Sequence, residues 1–227
     1  EIPVFASMWN MDGLILMGFC EADYEALRSQ TRISFVVYDG YFAACSKVVN
    51  LTIGHYDGGY QAGQYARELG HTKALCLADN DLCMDKERMD GFRAAFAPGK
   101  ALFWQIPALQ KERSAYYEEH FRSFLNLRST VVFAASDFYA LDFMRFLQTK
   151  GVRIPDDVQI IGFDDTAASR ESVPTLTTVH QDAAQRAKTA LACLEAMRSG
   201  RECEPQIVLP VTLIPRESTR KMPCRTL

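Results

Sequence analysis

The chain has 227 residues, 48% of them hydrophobic and 23% charged, which suits one large domain or two smaller lobes. Its 25 Lys and Arg face 28 Asp and Glu, a formal net charge of −3. That balance excludes the basic stripe of a nucleic-acid footprint, so any DNA-binding part is expected outside these residues.

Leu14 to Met17 reads as a first strand after the Asp12-Gly13 turn. Ile33 to Tyr38 is a second, β-branched and aromatic, ending at Asp39-Gly40, and Val48 to Ile53 is a third. A helix is predicted over Asp57 to Leu69, with Tyr60, Gly63, Ala66 and Leu69 on one face and Gly70 as its stop. Lys73 to Leu77 (strand), Asp85 to Phe96 (helix), Leu102 to Ile106 (strand) and Glu112 to Leu127 (helix) continue the alternation. Val131 to Ala135 is a continuous apolar strand of the kind covered on both faces. Asp137 to Lys150 follows as a helix, with Ala140, Leu141, Met144 and Leu147 on one side, and Val158 to Phe163 is the next strand. Pro174 to Val179 reads as an extended link and Gln181 to Arg198 as a long helix with Ala184, Ala187, Leu191 and Leu194 inward. A single strand from Ile207 to Ile214 closes the pattern. Such alternation predicts an α/β fold of parallel sheets with helices on both faces, and in such sheets ligands bind beyond the carboxyl ends of the strands.

Seven scattered cysteines (Cys20, Cys45, Cys76, Cys83, Cys193, Cys203, Cys224) form no C-x-x-C pair and read as reduced thiols, with no metal site and no cofactor implied. No leader pattern opens the chain and no apolar run approaches the roughly 20 residues of a membrane span. A cytoplasmic protein without a membrane partner is the expectation.

Polar residues at strand ends are therefore the candidate ligand contacts: Asp39, Ser136, Asp137, Asp164 and Asp165, with Arg88 near a helix start. Carboxylates accept paired hydrogen bonds from vicinal hydroxyls, and a guanidinium donates a planar fork. Tyr116 and Phe138, with Tyr117, Tyr139 and Trp9, offer aromatic faces for a sugar ring. Each polar residue also has a plainer reading: Asp137 as a helix N-cap, Asp164-Asp165 as turn residues, Arg88 as a solvated side chain. A glycosidase would need two carboxylates held about 5–9.5 Å apart around the scissile bond, whereas adjacent Asp164 and Asp165 are expected to diverge. No nucleophile elbow, phosphate-cradling loop or metal cluster is apparent, so an enzyme is not expected.

Taken in order, the segments resemble the effector-binding core of the LacI/GalR family of bacterial transcription regulators. Met11 to Leu16 is similar to the family's VDGIIL-like strand, and Phe35 to Asp39 to its PVVLID strand. Tyr56-Asp57-Gly58-Gly59-Tyr60 with Leu69-Gly70-His71, and Glu87-Arg88 with Gly91-Phe92, resemble two of its helix motifs. Ala135-Ser136-Asp137 with Ala140 looks like its NDxxA segment. Gly151 to Asp165 (GVRIPDDVQIIGFDD) is the most specific stretch. Thr175 to Val179 with Gln181, and Leu213 to Arg220, complete the match.

The resemblance implies a periplasmic-binding-protein-like fold of two lobes joined by three crossover strands, with a ligand between them, and a homodimer. One lobe would take residues 1–53 plus 181–210, its opening strands not recognisable, and the other 55–179 plus 212–227. The helix-turn-helix region that would contact operator DNA is not recognisable in the chain. Asp39, Arg88, Asp164 and Gln181 match positions that contact effector in the family, while Ser136 stands where the family commonly has Asn. Gly54-His55 replaces a frequent Asp-Asn, and Asp142 replaces a glycine. A sugar or polyol effector is the expectation. The alternative is a periplasmic-type sugar-binding protein of a transport system, which the Arg216 to Arg220 segment fits less well.

Overall fold

The structure, a computed structural model, describes residues 11–17, 33–40 and 48–221. Trp9, Cys20, Cys45 and Cys224 lie outside the described residues. In chain order the elements are β1 (Gly13–Met17), β2 (Ser34–Tyr38), β3 (Val48–Ile53), α1 (His55–Glu68), β4 (Lys73–Ala78) and α2 (Cys83–Phe96). They continue as β5 (Lys100–Gln105), α3 (Gln110–Leu127), β6 (Val131–Ala134), α4 (Asp137–Thr149), β7 (Gln159–Asp164) and α5 (Ala167–Glu171). The last are β8 (Thr177–Gln181), α6 (Ala183–Arg198), β9 (Gln206–Leu209) and β10 (Val211–Ile214). Among the described residues no helix is long and apolar enough to cross a membrane.

The chain divides into two compact units, Glu1–Gly54 with Asp182–Pro210, and His55–Gln181 with Val211–Leu227. The first holds a four-stranded parallel sheet in the order β1-β2-β3-β9. Val36, Val49 and Leu51 pack there against Ala190 and Cys193 of α6. The second holds a six-stranded sheet, β10-β8-β7-β6-β4-β5, parallel except for the β8–β10 pair. Its central strands β4, β6 and β7 read as near-continuous apolar runs because helices cover both faces, and Leu75, Val132, Phe143, Leu147 and Ile160 form the core.

Three sequence expectations change. The closing strand is two strands in different sheets, β9 beside β3 and β10 beside β8, separated at Pro210, which has no N–H to continue a ladder. The extended link becomes β8, and a short α5 appears before it, capped by Thr166, whose Oγ1 accepts from Ser169 N at 3.3 Å. The buried stripe of α6 is Arg186, Ala190 and Cys193, while Ala184, Ala187 and Leu191 are exposed. A charged residue takes an inward position there because an ion pair compensates it.

Helices α1 and α2 approach backbone to backbone. A Cβ at Gly59 would collide with the Arg88 carbonyl oxygen, one at Gly63 with that of Phe92, and one at Gly91 with that of Tyr56. This close contact sets the position of Arg88 on α2.

Candidate functional site

Ser136, Asp164 and Gln181 stand at or just past the carboxyl ends of the neighbouring strands β6, β7 and β8. Arg88 joins them from α2, buried rather than solvated. Its guanidinium lies 3.8 Å above the Phe163 ring, Nη1 donates to the Ala135 carbonyl oxygen at 2.5 Å, and Nη1 is 3.5 Å from Asp164 Oδ1. Its Nε donates to His55 Nδ1 at 3.2 Å, which requires that imidazole nitrogen to be unprotonated. Gln181 Nε2 donates to Asp164 Oδ1 at 2.8 Å. Burial pushes the Asp164 carboxyl up to about 6, with Asp137 and Asp85 adding to the rise, while Arg88 and Gln181 pull the other way. Asp85 is also held near 6, by burial first and then by Asp79, against the pull of Arg88.

Asp164 and Asp165 diverge, as the sequence suggested. Asp165 accepts from Arg216 Nη2 (2.5 Å), Arg170 Nη1 (3.1 Å) and His180 Nδ1 (2.8 Å), so its carboxylate is spent on its own unit. Burial alone would raise the Asp165 carboxyl, but the bonds from Arg216 and His180 hold it below its ordinary value. Both residues have positive φ, 118° and 52°, strained backbone at the end of β7 that is held in place by these side-chain contacts.

Asp137, expected as a ligand contact, is engaged by its own unit. It is fully buried, and it accepts from Thr178 Oγ1 at 2.5 Å, Thr166 N at 2.8 Å and Thr166 Oγ1 at 3.0 Å. Its role is to tie α4 to β8 and to the turn after β7. Nor is it the N-cap of α4: that is Ser136, whose Oγ accepts from Tyr139 N at 3.4 Å.

Asp39 belongs to the first unit, at the end of β2 with φ 54°. Its Oδ1 accepts from Arg186 Nη2 at 2.7 Å and from Thr52 Oγ1 at 3.0 Å. Arg186 also lies 4.1 Å over the Tyr38 ring and donates to the Leu51 carbonyl oxygen at 3.1 Å. The aromatic candidates separate. Phe138 is half-exposed beneath the Arg113 guanidinium, which stands 4.4 Å from its ring centre. Tyr116 instead stacks on His120 at 4.1 Å and meets Trp104 edge-on, an aromatic cluster of its own between α3 and β5. Its ring is engaged in packing with His120 and Trp104.

Arg186 is the residue that sequence reasoning passed over, and His55 stood out there only as part of the Gly54-His55 departure from the family's Asp-Asn, not as a partner of Arg88. The only signal for Arg186 was a polar residue in an otherwise buried stripe of α6. Among the described residues no three His, Cys, Asp or Glu side chains gather as metal ligands. What remains is a planar cationic fork, a carboxylate and an amide on adjacent strand ends, a set that exchanges hydrogen bonds with hydroxyl groups.

Comparison with known proteins agrees with this architecture. The family model of the periplasmic binding protein-like domain matches residues 64–219. The chain is 34% identical over 155 residues to the HTH-type transcriptional repressor PurR of Vibrio cholerae serotype O1 (strain M66-2), covering 66% of this chain and 46% of the repressor. It is 32% identical over 169 residues to the HTH-type transcriptional regulator DegA of Bacillus subtilis (strain 168), covering 71% of this chain and 49% of that protein. The chain thus spans about half the length of these curated relatives. Among solved structures it resembles a periplasmic binding protein/LacI transcriptional regulator from Alkaliphilus metalliredigens QYMF complexed with D-xylulofuranose. That match has a TM-score of 0.83 and 25% identity over 96% of this chain and 80% of that one. These relatives are transcription regulators rather than enzymes. The chain belongs to the periplasmic binding protein-like domain family, in the form that LacI/GalR-type regulators use as their effector-binding core.

Proposed function

We propose that this chain senses a small neutral sugar or polyol, held in the second unit by Arg88, Ser136, Asp164 and Gln181, with Phe138 as a further contact. The observation that carries the reading is the Arg88–Asp164–Gln181 cluster at adjacent strand ends. A related regulator is described in complex with D-xylulofuranose, which supports a sugar as the ligand class. Arg88 already has Asp164 beside it, with Asp85 near, so a phosphate dianion would meet carboxylates as well as the guanidinium. Neutral hydroxyls meet no such repulsion.

In this reading the sensed ligand favours one of two conformations, and a preference of about 1–3 kcal/mol per site is enough to matter. A homodimer would pass the change to operator DNA through a helix-turn-helix region outside these residues. A thermal-shift screen against neutral sugars, sugar phosphates, nucleobases and nucleosides tests the ligand. At about 100 times its dissociation constant a true effector adds about 2.7 kcal/mol of stability. The shift is expected from a neutral sugar and is expected to vanish in both Arg88→Ala and Asp164→Ala. A larger shift from a sugar phosphate, or one that survives both substitutions, would overturn the assignment.

A further inference from the structure

The described cysteines stand in different settings. Cys76 is buried in β4 and Cys83 is exposed at the start of α2, both in the second unit. Cys193 and Cys203 lie in the first unit, ten positions apart, and the fold brings them together. After α6 the chain reverses at Gly200, which takes φ +71° with nothing near its missing Cβ, and Arg201 N donates to the Ala196 carbonyl oxygen at 2.9 Å. The reversal lays Cys203 back against the helix, where its Sγ donates to the Cys193 carbonyl oxygen at 3.6 Å. Burial first, and then the neighbouring Cys203 thiol, push the Cys193 thiol up to about 11. Both cysteines line a surface cavity of about 430 Å³, with Lys188, Glu204 and Ile207 around it.

We propose that Cys193 and Cys203 are a dithiol modification site, which a low-molecular-weight disulfide entering this cavity converts to an intramolecular disulfide. Cys203 is the more exposed and reacts first. Its thiol gives a proton to solvent, its sulfur bonds to one sulfur of the small disulfide, and the other sulfur leaves as a thiolate that takes up a proton. Cys193 then loses its proton, attacks the Cys203 sulfur, and expels the second small thiol. Two protein thiols are oxidised and the small disulfide is reduced to two thiols. The raised Cys193 thiol slows its own attack, but Cys203 already lies against the Cys193 backbone, so ring closure needs no second encounter. The product staples the end of α6 to the segment that enters β9.

Oxidised glutathione is the probe. After treatment, alkylation of remaining thiols and digestion with trypsin, peptides 189–198 and 202–216 are expected as one linked pair that a reductant separates. Cys193→Ala is expected to stop at a glutathione mixed disulfide on Cys203, and Cys203→Ser to leave Cys193 unmodified. Accumulation of the mixed disulfide on Cys203 in the unaltered chain, without linkage, would overturn the proposal. So would a linked pair built from other cysteines, Cys20 or Cys45 included, that forms ahead of this one.

Discussion

Asp164 sits beside Arg88 and Gln181, yet burial holds its carboxyl at about 6 against an ordinary value of 3.8. Between those values the folded state binds more proton than the unfolded state, so stability from this group falls as pH rises through that window. Above about pH 6 the whole cost is present. Asp164→Asn removes the titration. The stability of the variant relative to the parent should therefore rise by about 2–3 kcal/mol from pH 4 to pH 7, read by denaturant unfolding at each pH. A constant difference across the range would mean that the carboxyl titrates normally. Burial raises the Asp137 carboxyl as well, against the pull of hydrogen bonds from Thr178 and Thr166. Its carboxylate accepts from Thr178 and Thr166 in full burial, so Asp137→Ala strands those donors and should cost about 2–4 kcal/mol. A ligand contact would instead lose binding with stability intact, so the two readings separate in a single variant. At this scale the sequence showed where the carboxylates fall but not what faces them. Nothing local to Asp39 points to Arg186, and nothing local to Arg88 points to His55, because each pair is distant in sequence and meets only on folding.

Helices α1 and α2 are the elements that decide where Arg88 points. Their contact runs through Gly59, Gly63 and Gly91, whose missing side chains let one backbone rest on the other. Gly59→Ala would press a methyl group into the Arg88 carbonyl oxygen. The expected loss is about 1–3 kcal/mol in unfolding free energy, with weakened effector binding because the fork of Arg88 moves with its backbone. On the exposed face, Gln64→Ala should be nearly neutral in both measurements. Periodicity found nearly every element of both units, since apolar runs of period 2 and 3.6 report burial directly. It misassigned the inward face of α6, where Arg186 outranks Leu191, because a paired arginine is buried while hydrophobic spacing counts it as surface. It also ran β9 and β10 together, because both are apolar and only sheet membership divides them at Pro210.

The two units differ in how their cores are made. In the second, β6 is wholly buried between β4 and β7, and both helix layers close over it. In the first, the described core is a thinner layer of Val36, Val49 and Leu51 against α6. Amides of β4, β6 and β7 should therefore exchange slowest in hydrogen-exchange mass spectrometry, and those of β1 and β9 faster by at least about tenfold. Equal protection in both units would show that the chain opens as a single cooperative body. The α/β class, most of the elements, the regulator family and the strand ends that carry polar side chains were legible in the sequence. These follow from local periodicity and from motifs that lie within short stretches of chain. The tertiary structure alone decided which of those polar groups are structural and which form a cluster. Asp137 and Asp165 are consumed by bonds to threonines, arginines and a histidine from other elements, whereas Arg88, Asp164 and Gln181 converge. It decided equally that Cys193 meets Cys203. Burial and long-range pairing depend on which distant segments fold against each other, and no local pattern records that.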